Sequence, residues 1–314
     1  MTDPTISTKR VAFIGLGAMG APMAARVAAA GYDLAIFDAD AKRCADIATD
    51  IGCSAAASAA DAADGADVIV TMLPNSTVVS AVLLRPDGAL SRIAAGALVI
   101  EMSSGEPGKT RELAEAVSAR GAVLVDAPVS GGVARARTGE LAIMVGGGEE
   151  DFALAEPILR TMGTSLLRTG DVGSAHAMKA LNNLVSAGGF LIGIEALLIG
   201  ARYGLDPAVM VDVLNASTGM NNSTQKKFKQ FVLSRRFDAG FGLDLMVKDL
   251  GIAMSVAEET GTAAPFAALC RQMWASASAV LGPGQDHTAL ARFSEMLAGM
   301  ELSSDANDPP TSDR

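Results

Sequence analysis

The stretch VAFIGLGAMGAPMA, residues 11–24, decides the fold. It opens as a short β-branched and aromatic run, turns on glycine, and continues as an alanine-rich helical segment. Gly15, Gly17 and Gly20 stand in GxGxxG spacing across that strand-to-helix turn. The three glycines answer different physical demands. Gly15 permits the tight turn, Gly17 lets a pyrophosphate approach the backbone, and Gly20 lets the helix lie close to the strand. The helix start, with Leu16, Ala18 and Met19 between the glycines, then offers N–H groups to an anion. A second strand is expected at 33–37, and Asp38 follows at about the 20-residue spacing of an acid that accepts from a ribose 2′-hydroxyl. A carboxylate there repels a 2′-phosphate, so NAD is the expected cofactor, with NADP as the alternative through Lys42 and Arg43.

Outward from this turn the pattern repeats. Apolar runs at 67–72, 97–102, 122–126, 141–145 and, weakly, 165–168 alternate with helical stretches at 41–50, 76–84, 106–120 and 149–161. Such alternation predicts a doubly wound parallel sheet with crossover helices, an α/β Rossmann domain over residues 1–170. After Gly173 the alternation stops. Residues 171–302 read as an all-helical domain for substrate and subunit contacts, and 303–314, almost without apolar residues, as a disordered tail. An apolar helix of roughly thirty residues, about 45 Å at the α-helical rise, is expected to join the domains.

Composition sets limits. The chain has 314 residues, 50% of them hydrophobic, enough for two cores, and a net charge of −10 that disfavours nucleic acid and anionic membranes. Cys44, Cys53 and Cys270 form neither a CxxC pair nor a cluster with histidine, so no disulfide framework or metal site is expected. The segment MTDPTISTKR lacks the basic-then-apolar layout of a signal peptide, and a cytoplasmic location is expected. The run LVSAGGFLIGIEALLIGA, residues 184–201, nears spanning length, but Glu195 and its glycines mark it as a helix inside a protein core.

Several polar groups fall where chemistry is expected. Leu73 and Pro74 close the third main strand, and Ser103 and Ser104 follow the fourth, at the carboxyl edge where such sheets bind ligands. They read either as contacts to the cofactor's ribose and nicotinamide or as ordinary turns with serine caps. Ser130, Gly131 and Gly132 offer successive N–H groups and a hydroxyl suited to a carboxylate. Lys179 shares a helix face with Asn182 and Asn183, and a lysine with two carboxamides on an apolar helix is costly to bury without a purpose. His176, one turn before Lys179, reads as structural. His287 reads as part of a helix-start loop that approaches a partner subunit. The segment 221–224 reads as a helix cap in preference to a pocket lining, and the basic run Lys226, Lys227, Lys229, Arg235 and Arg236 as a solvated face.

GLGAMGAPMA, DAPVSGG, the GxxxxxKxxNN helix and MVKDLGIA (246–253) together resemble the β-hydroxyacid dehydrogenases, the group containing 3-hydroxyisobutyrate dehydrogenase. The resemblance spans almost the whole chain. It implies NAD(P)-linked oxidation of a small 3-hydroxy acid, with Lys179 as the catalytic general acid/base. It also implies that Ser130, Gly131, Gly132 and the amides of Asn182 and Asn183 hold the substrate. Lys248 would then reach the cofactor or close over the site, with Asp249 orienting it through a salt bridge. Alternatives are a semialdehyde reductase, for tartronate or succinic semialdehyde, and a non-catalytic NAD(P)-binding interaction protein. A homodimer or homotetramer is the expected assembly.

Overall fold

Val11, Ala12, Phe13 and Ile14 are all but inaccessible, so the strand they form, β1 (Arg10–Ile14), is covered on both faces. A strand apolar on both sides belongs at the centre of a parallel sheet. A computed structural model of the chain, describing residues 9–302, shows this: β1 pairs in parallel with β2 (Asp33–Phe37) on one side and β4 (Val68–Thr71) on the other. The two-residue β3 (Ser54–Ala55) extends the β2 edge, while β5 (Leu98–Glu101) and β6 (Val123–Asp126) continue in parallel beyond β4. The chain order reverses between β1 and β4, so the glycine turn after β1 and Leu73 after β4 both border the topological switch point.

Two features go beyond simple alternation. The strand β7 (Val129–Ser130) turns back on β8 (Leu141–Gly146) in antiparallel register, and β8 also meets β6 antiparallel at its end. The last strand, β9 (Gly163–Gly170), then runs parallel to β8. Between β7 and β8 lies a short helix, Gly132–Thr138, which the sequence pattern does not announce. One apolar layer, with Phe13, Met23 and Ile143, covers one face of the sheet, and a second, with Ile14, Ile69 and Val99, covers the other.

The described chain divides into two compact units, Met1–Lys179 and Ala180–Arg314, the boundary falling within the 30-residue helix Ser174–Tyr203. That helix is the one long and apolar enough to cross a membrane among the described residues, and 50% of its most apolar window is buried inside the protein. The second unit is helical and closes around Phe190, Phe228 and Trp274, with the Phe190 ring centroid 5.4 Å from that of Phe228 and 5.9 Å from that of Trp274. Gly193 makes this packing fit: a Cβ there would lie 2.6 Å from the Phe228 ring. The tail expected at 303–314 lies outside the described residues.

Candidate active site

The glycine turn separates glycines the chain itself needs from one it does not. Gly15 has φ +100°, and a Cβ there would lie 2.3 Å from the Met72 carbonyl oxygen; a Cβ on Gly20 would lie 1.9 Å from the Gly15 oxygen. Both are therefore fixed by backbone crowding. Gly17 has no positive φ, and a Cβ there would meet nothing within 4 Å. Packing gives no reason for glycine at that position. A ligand that must approach the backbone does, so the turn fits the pyrophosphate of a dinucleotide.

Asp38 stands beside this turn at the end of β2. Its carboxylate accepts from Leu16 N at 2.7 Å and from Asp40 N at 2.8 Å, and its side chain is 11% exposed. Arg43 lies 3.5 Å from both Asp38 and Asp40, and Lys42 pairs with Asp46 at 2.6 Å. Both cations offered as 2′-phosphate partners are thus engaged with acids. Across the switch point Leu73 N donates to Ser103 Oγ at 2.9 Å. Ser103 is buried and committed to this link, and Ser104, half-buried, follows it.

Ser130 ends β7, and Gly131 and Gly132 open the following helix with φ +137° and +70°. Only glycine adopts both readily. Both are exposed, and a Cβ on Gly132 would meet nothing within 4 Å, so an anion can reach this turn.

The helix bearing Lys179 starts on a buried polar cluster that the sequence did not reveal. Asp126, at the end of β6, accepts from Gly173 N at 2.7 Å and His176 N at 2.9 Å, capping the helix from a distance. His176 Nε2 lies 2.9 Å from both Glu101 Oε2 and the Ser103 carbonyl oxygen, two acceptors, so this nitrogen carries hydrogen. His176 Nδ1 lies 2.8 Å from Thr110 Oγ1, whose own hydrogen is directed to the Glu106 carbonyl at 3.0 Å. With its hydrogen so directed, the hydroxyl accepts from Nδ1 in the imidazolium form of His176. Burial opposes that charge, but Glu101 and Asp126 outweigh it and raise the histidine's pKa. Burial would likewise raise Glu101, yet His176 and the Ser103 bonds hold it below the usual carboxylate range. For Asp126 burial prevails and pushes the pKa up, His176 standing off at 3.8 Å. Gly105 leaves room for the ring, since a Cβ there would lie 2.9 Å from His176 Cε1. His176 is thus structural as expected, and Glu101 and Asp126 are the partners that single-residue inspection missed.

In the second unit Asn183 donates from Nδ2 to Asp249 Oδ2 at 2.6 Å. A carboxylate accepts only, so the amide's orientation is fixed and its oxygen takes Asn182 Nδ2 at 3.2 Å. The expected Lys248–Asp249 pair is present at 3.5 Å, longer than the bond to Asn183, so Asp249 chiefly orients the asparagine. The 221–224 segment is a capping box, as expected: Asn221 Oδ1 takes Thr224 N, and Thr224 Oγ1 takes Asn221 N. His287 opens a short 3-10 helix, His287–Ala289, as expected of a helix start. It is buried within its own unit, against Phe190 and Phe241, where its Nδ1 lies 3.2 Å from the Phe241 carbonyl oxygen. The basic run is only partly a solvated face. Lys226, Lys229 and Arg236 are exposed, but Arg235 forks onto the buried Glu295 and Lys227 turns inward.

The profile for the NAD binding domain of 6-phosphogluconate dehydrogenase matches residues 10–170, and the profile for the NAD-binding region of NADP-dependent 3-hydroxyisobutyrate dehydrogenase matches 173–294. Among curated proteins the chain is 34% identical to 2-(hydroxymethyl)glutarate dehydrogenase of Eubacterium barkeri, over 94% of this chain and 97% of that one. It is 39% identical to 3-hydroxyisobutyrate dehydrogenase of Pseudomonas aeruginosa, over 84% and 90%. The solved 3-hydroxyisobutyrate dehydrogenase of Mycobacterium tuberculosis with L-serine superposes with a TM-score of 0.84 at 32% identity, over 91% and 98%. Two profiles in tandem, and relatives matched over nearly their full length, establish that the chain belongs to the β-hydroxyacid dehydrogenase family of NAD(P)-dependent oxidoreductases.

Proposed function

We propose that the chain oxidises a small 3-hydroxy acid of the 3-hydroxyisobutyrate kind to its semialdehyde, with NAD as acceptor and Lys179 as general acid/base. The observation that carries this reading is the anchoring of the lysine's helix. Asp126 and His176 tie its first turn to the carboxyl ends of β6 and β5, the sheet edge that carries the glycine turn. Residues 15–20, Asp38, Leu73, Pro74 and Ser104 would hold the dinucleotide, with Lys248 added as the family resemblance implies, and the nicotinamide would supply an acceptor for the carbinol hydrogen and its electron pair. The chain's own groups do the rest. The Ser130 hydroxyl and the Gly131 and Gly132 N–H groups bind the substrate carboxylate. Asn182 and Asn183, the latter fixed by Asp249, position the hydroxyl. Lys179 Nζ takes the hydroxyl proton as the carbon–oxygen double bond forms, and returns it to the carbonyl oxygen in the reverse direction. A panel of serine, glycerate, 3-hydroxypropionate and 3-hydroxyisobutyrate, with each dinucleotide and in both directions, tests this. Tight dinucleotide binding without turnover of any member would favour the non-catalytic alternative.

Asp38 supports NAD over NADP, because its carboxylate is held at the turn by two backbone N–H groups. Asp38→Ser keeps an acceptor and removes the charge. The ratio of kcat/KM with NADP to that with NAD is expected to rise about tenfold, a difference of about 1.4 kcal/mol. An unchanged ratio would remove Asp38 from the selectivity argument.

A homodimer or homotetramer is part of the same proposal. Val185, Ile192 and Ile199, 76%, 53% and 73% exposed, recur at seven-residue spacing as an apolar stripe on the long helix. Sedimentation equilibrium is expected to give a dimer or larger for the wild type and a smaller species for Ile192→Glu; a monomeric wild type would refute it. Three free cysteines, two of them buried, fit a cytoplasmic location, which fractionation of the native host checks.

A further inference from the structure

Lys227 turns inward within its basic run, yet no acid lies within ion-pair distance of it among the described residues. Lys229 has Asp212 at 2.6 Å, and Arg235 and Arg236 have Glu295 and Asp238. The Lys227 ammonium instead reaches the Ser186 hydroxyl at 3.4 Å, a marginal hydrogen bond. Its surroundings are dry enough that burial lowers its pKa against the pull of Asp286. Asp286 does not neutralise it directly, because its carboxylate is already taken by Gly240 N, Phe241 N, Thr288 N and the Thr288 hydroxyl. One turn before Lys227, the Ser223 hydroxyl is buried with no hydrogen-bond partner. A desolvated cation and an unsatisfied buried hydroxyl are each costly to keep unless something else completes them.

Their position says what that is. Ser186 follows Asn183 by three residues and Lys179 by seven on one unbroken helix, so all three fall on one face. Lys179 and Ser186 are separated along the helix axis by about 10 Å, a distance on the scale of a short substrate arm. We infer that Lys227, with Ser186, is the specificity site for a second carboxylate, so that the preferred substrates are hydroxy dicarboxylates. In these a 2-(hydroxymethyl) acid carries a further carboxylate on its C2 arm. The inference rests on the proposed hydroxy-acid reaction and on Lys179 marking the reacting end. The ammonium accommodates the distal anion, and the Ser186 hydroxyl donates to it.

Wild type and Lys227→Met, which keeps most of the side-chain volume, are compared on 2-(hydroxymethyl)glutarate and 2-(hydroxymethyl)succinate against 3-hydroxyisobutyrate and 3-hydroxypropionate. The wild type is expected to favour the dicarboxylates. In the variant their kcat/KM falls about 30-fold or more, mainly through KM, as for removal of one partner of a buried charge pair, while the monocarboxylates change little. Lys227→Arg is expected to retain part of the preference. Wild-type preference for monocarboxylates, or an equal fall for both classes, overturns the inference. Calorimetric titration of glutarate into the NAD-loaded protein separates it from the reaction reading. If no hydroxy acid is turned over but glutarate binding still weakens about tenfold in Lys227→Met, the anion site stands and the assigned reaction falls. If turnover is normal and glutarate binds both proteins equally, the reaction stands and the anion site falls.

Discussion

Replacing Lys179 by alanine is expected to lower kcat by about 10³-fold, within the range for loss of a positioned general acid/base. Binding of NAD, followed by calorimetry, is expected to stay as in the wild type, because the glycine turn and Asp38 are untouched. The lysine lies on the Ser174–Tyr203 helix three residues beyond His176, and Asp126, Glu101 and Ser103 supply bonds that fix that helix start and stay in place in the variant. The substitution therefore removes a proton carrier while these bonds to the helix start remain. Lys179→Met, which keeps the apolar stem, is expected to be as inactive as alanine, which separates loss of the proton function from loss of packing. Near wild-type turnover in either variant would remove Lys179 from the mechanism.

The largest effect on stability is expected at His176. His176→Leu leaves Glu101, 2% exposed, and Asp126, 0% exposed, as acids without the cation between them. Breaking a buried ion pair by removing one partner typically costs about 3 to 5 kcal/mol. For a unit of this size that lowers Tm by roughly 10 °C, as scanning calorimetry would read. The double variant His176→Gln/Glu101→Gln, which removes both charges but keeps amide donors and acceptors, is expected to recover part of the loss. The pH dependence has a definite sign. His176 has a raised pKa in the folded state, so its contribution is complete below the ordinary value of about 6.5 and fades as pH rises through the raised one. Glu101 has a lowered pKa, so its contribution is present above about 4.3 and fades as pH falls through the lowered value. In His176→Gln the alkaline decline is expected to flatten; an unchanged alkaline limb, or a Tm equal to wild type in His176→Leu, would show that the cluster does not hold an imidazolium.

What the sequence disclosed and what it hid divide along a physical line. The glycine turn was legible because its demands are local: backbone crowding at Gly15 and Gly20, and open space at Gly17, are all set within one strand-to-helix turn. The parallel core strands were legible from their unbroken apolar runs. The β7–β8 return was not, because a two-residue strand carries no periodicity and its antiparallel direction depends on where Gly131 and Gly132 bend the chain. Asp126 and Glu101 looked like strand ends. Their role appears only when residues far apart in sequence meet, Glu101 and Asp126 with His176. The inward turn of Lys227 was hidden for a different reason. It follows a five-residue helix and precedes the wider helical turn Phe228–Leu233, so no single period relates it to Lys226 and Lys229. The burial of His287 was hidden because its helix-start position said nothing of the aromatic rings of Phe190 and Phe241 that pack against it.

The central claim is that the carbinol hydrogen of a 3-hydroxy acid passes directly to the nicotinamide of a dinucleotide bound at the glycine turn. It is tested most directly by incubating the protein with NAD and a 3-hydroxy acid deuterated at the carbinol carbon, then weighing the reduced dinucleotide by mass spectrometry. One deuterium per reduced dinucleotide, with the semialdehyde as partner product and no label transfer in Lys179→Ala, is the expected result. Reduced dinucleotide without deuterium, or no reduction with any 3-hydroxy acid of the panel while NAD binds normally, would contradict it.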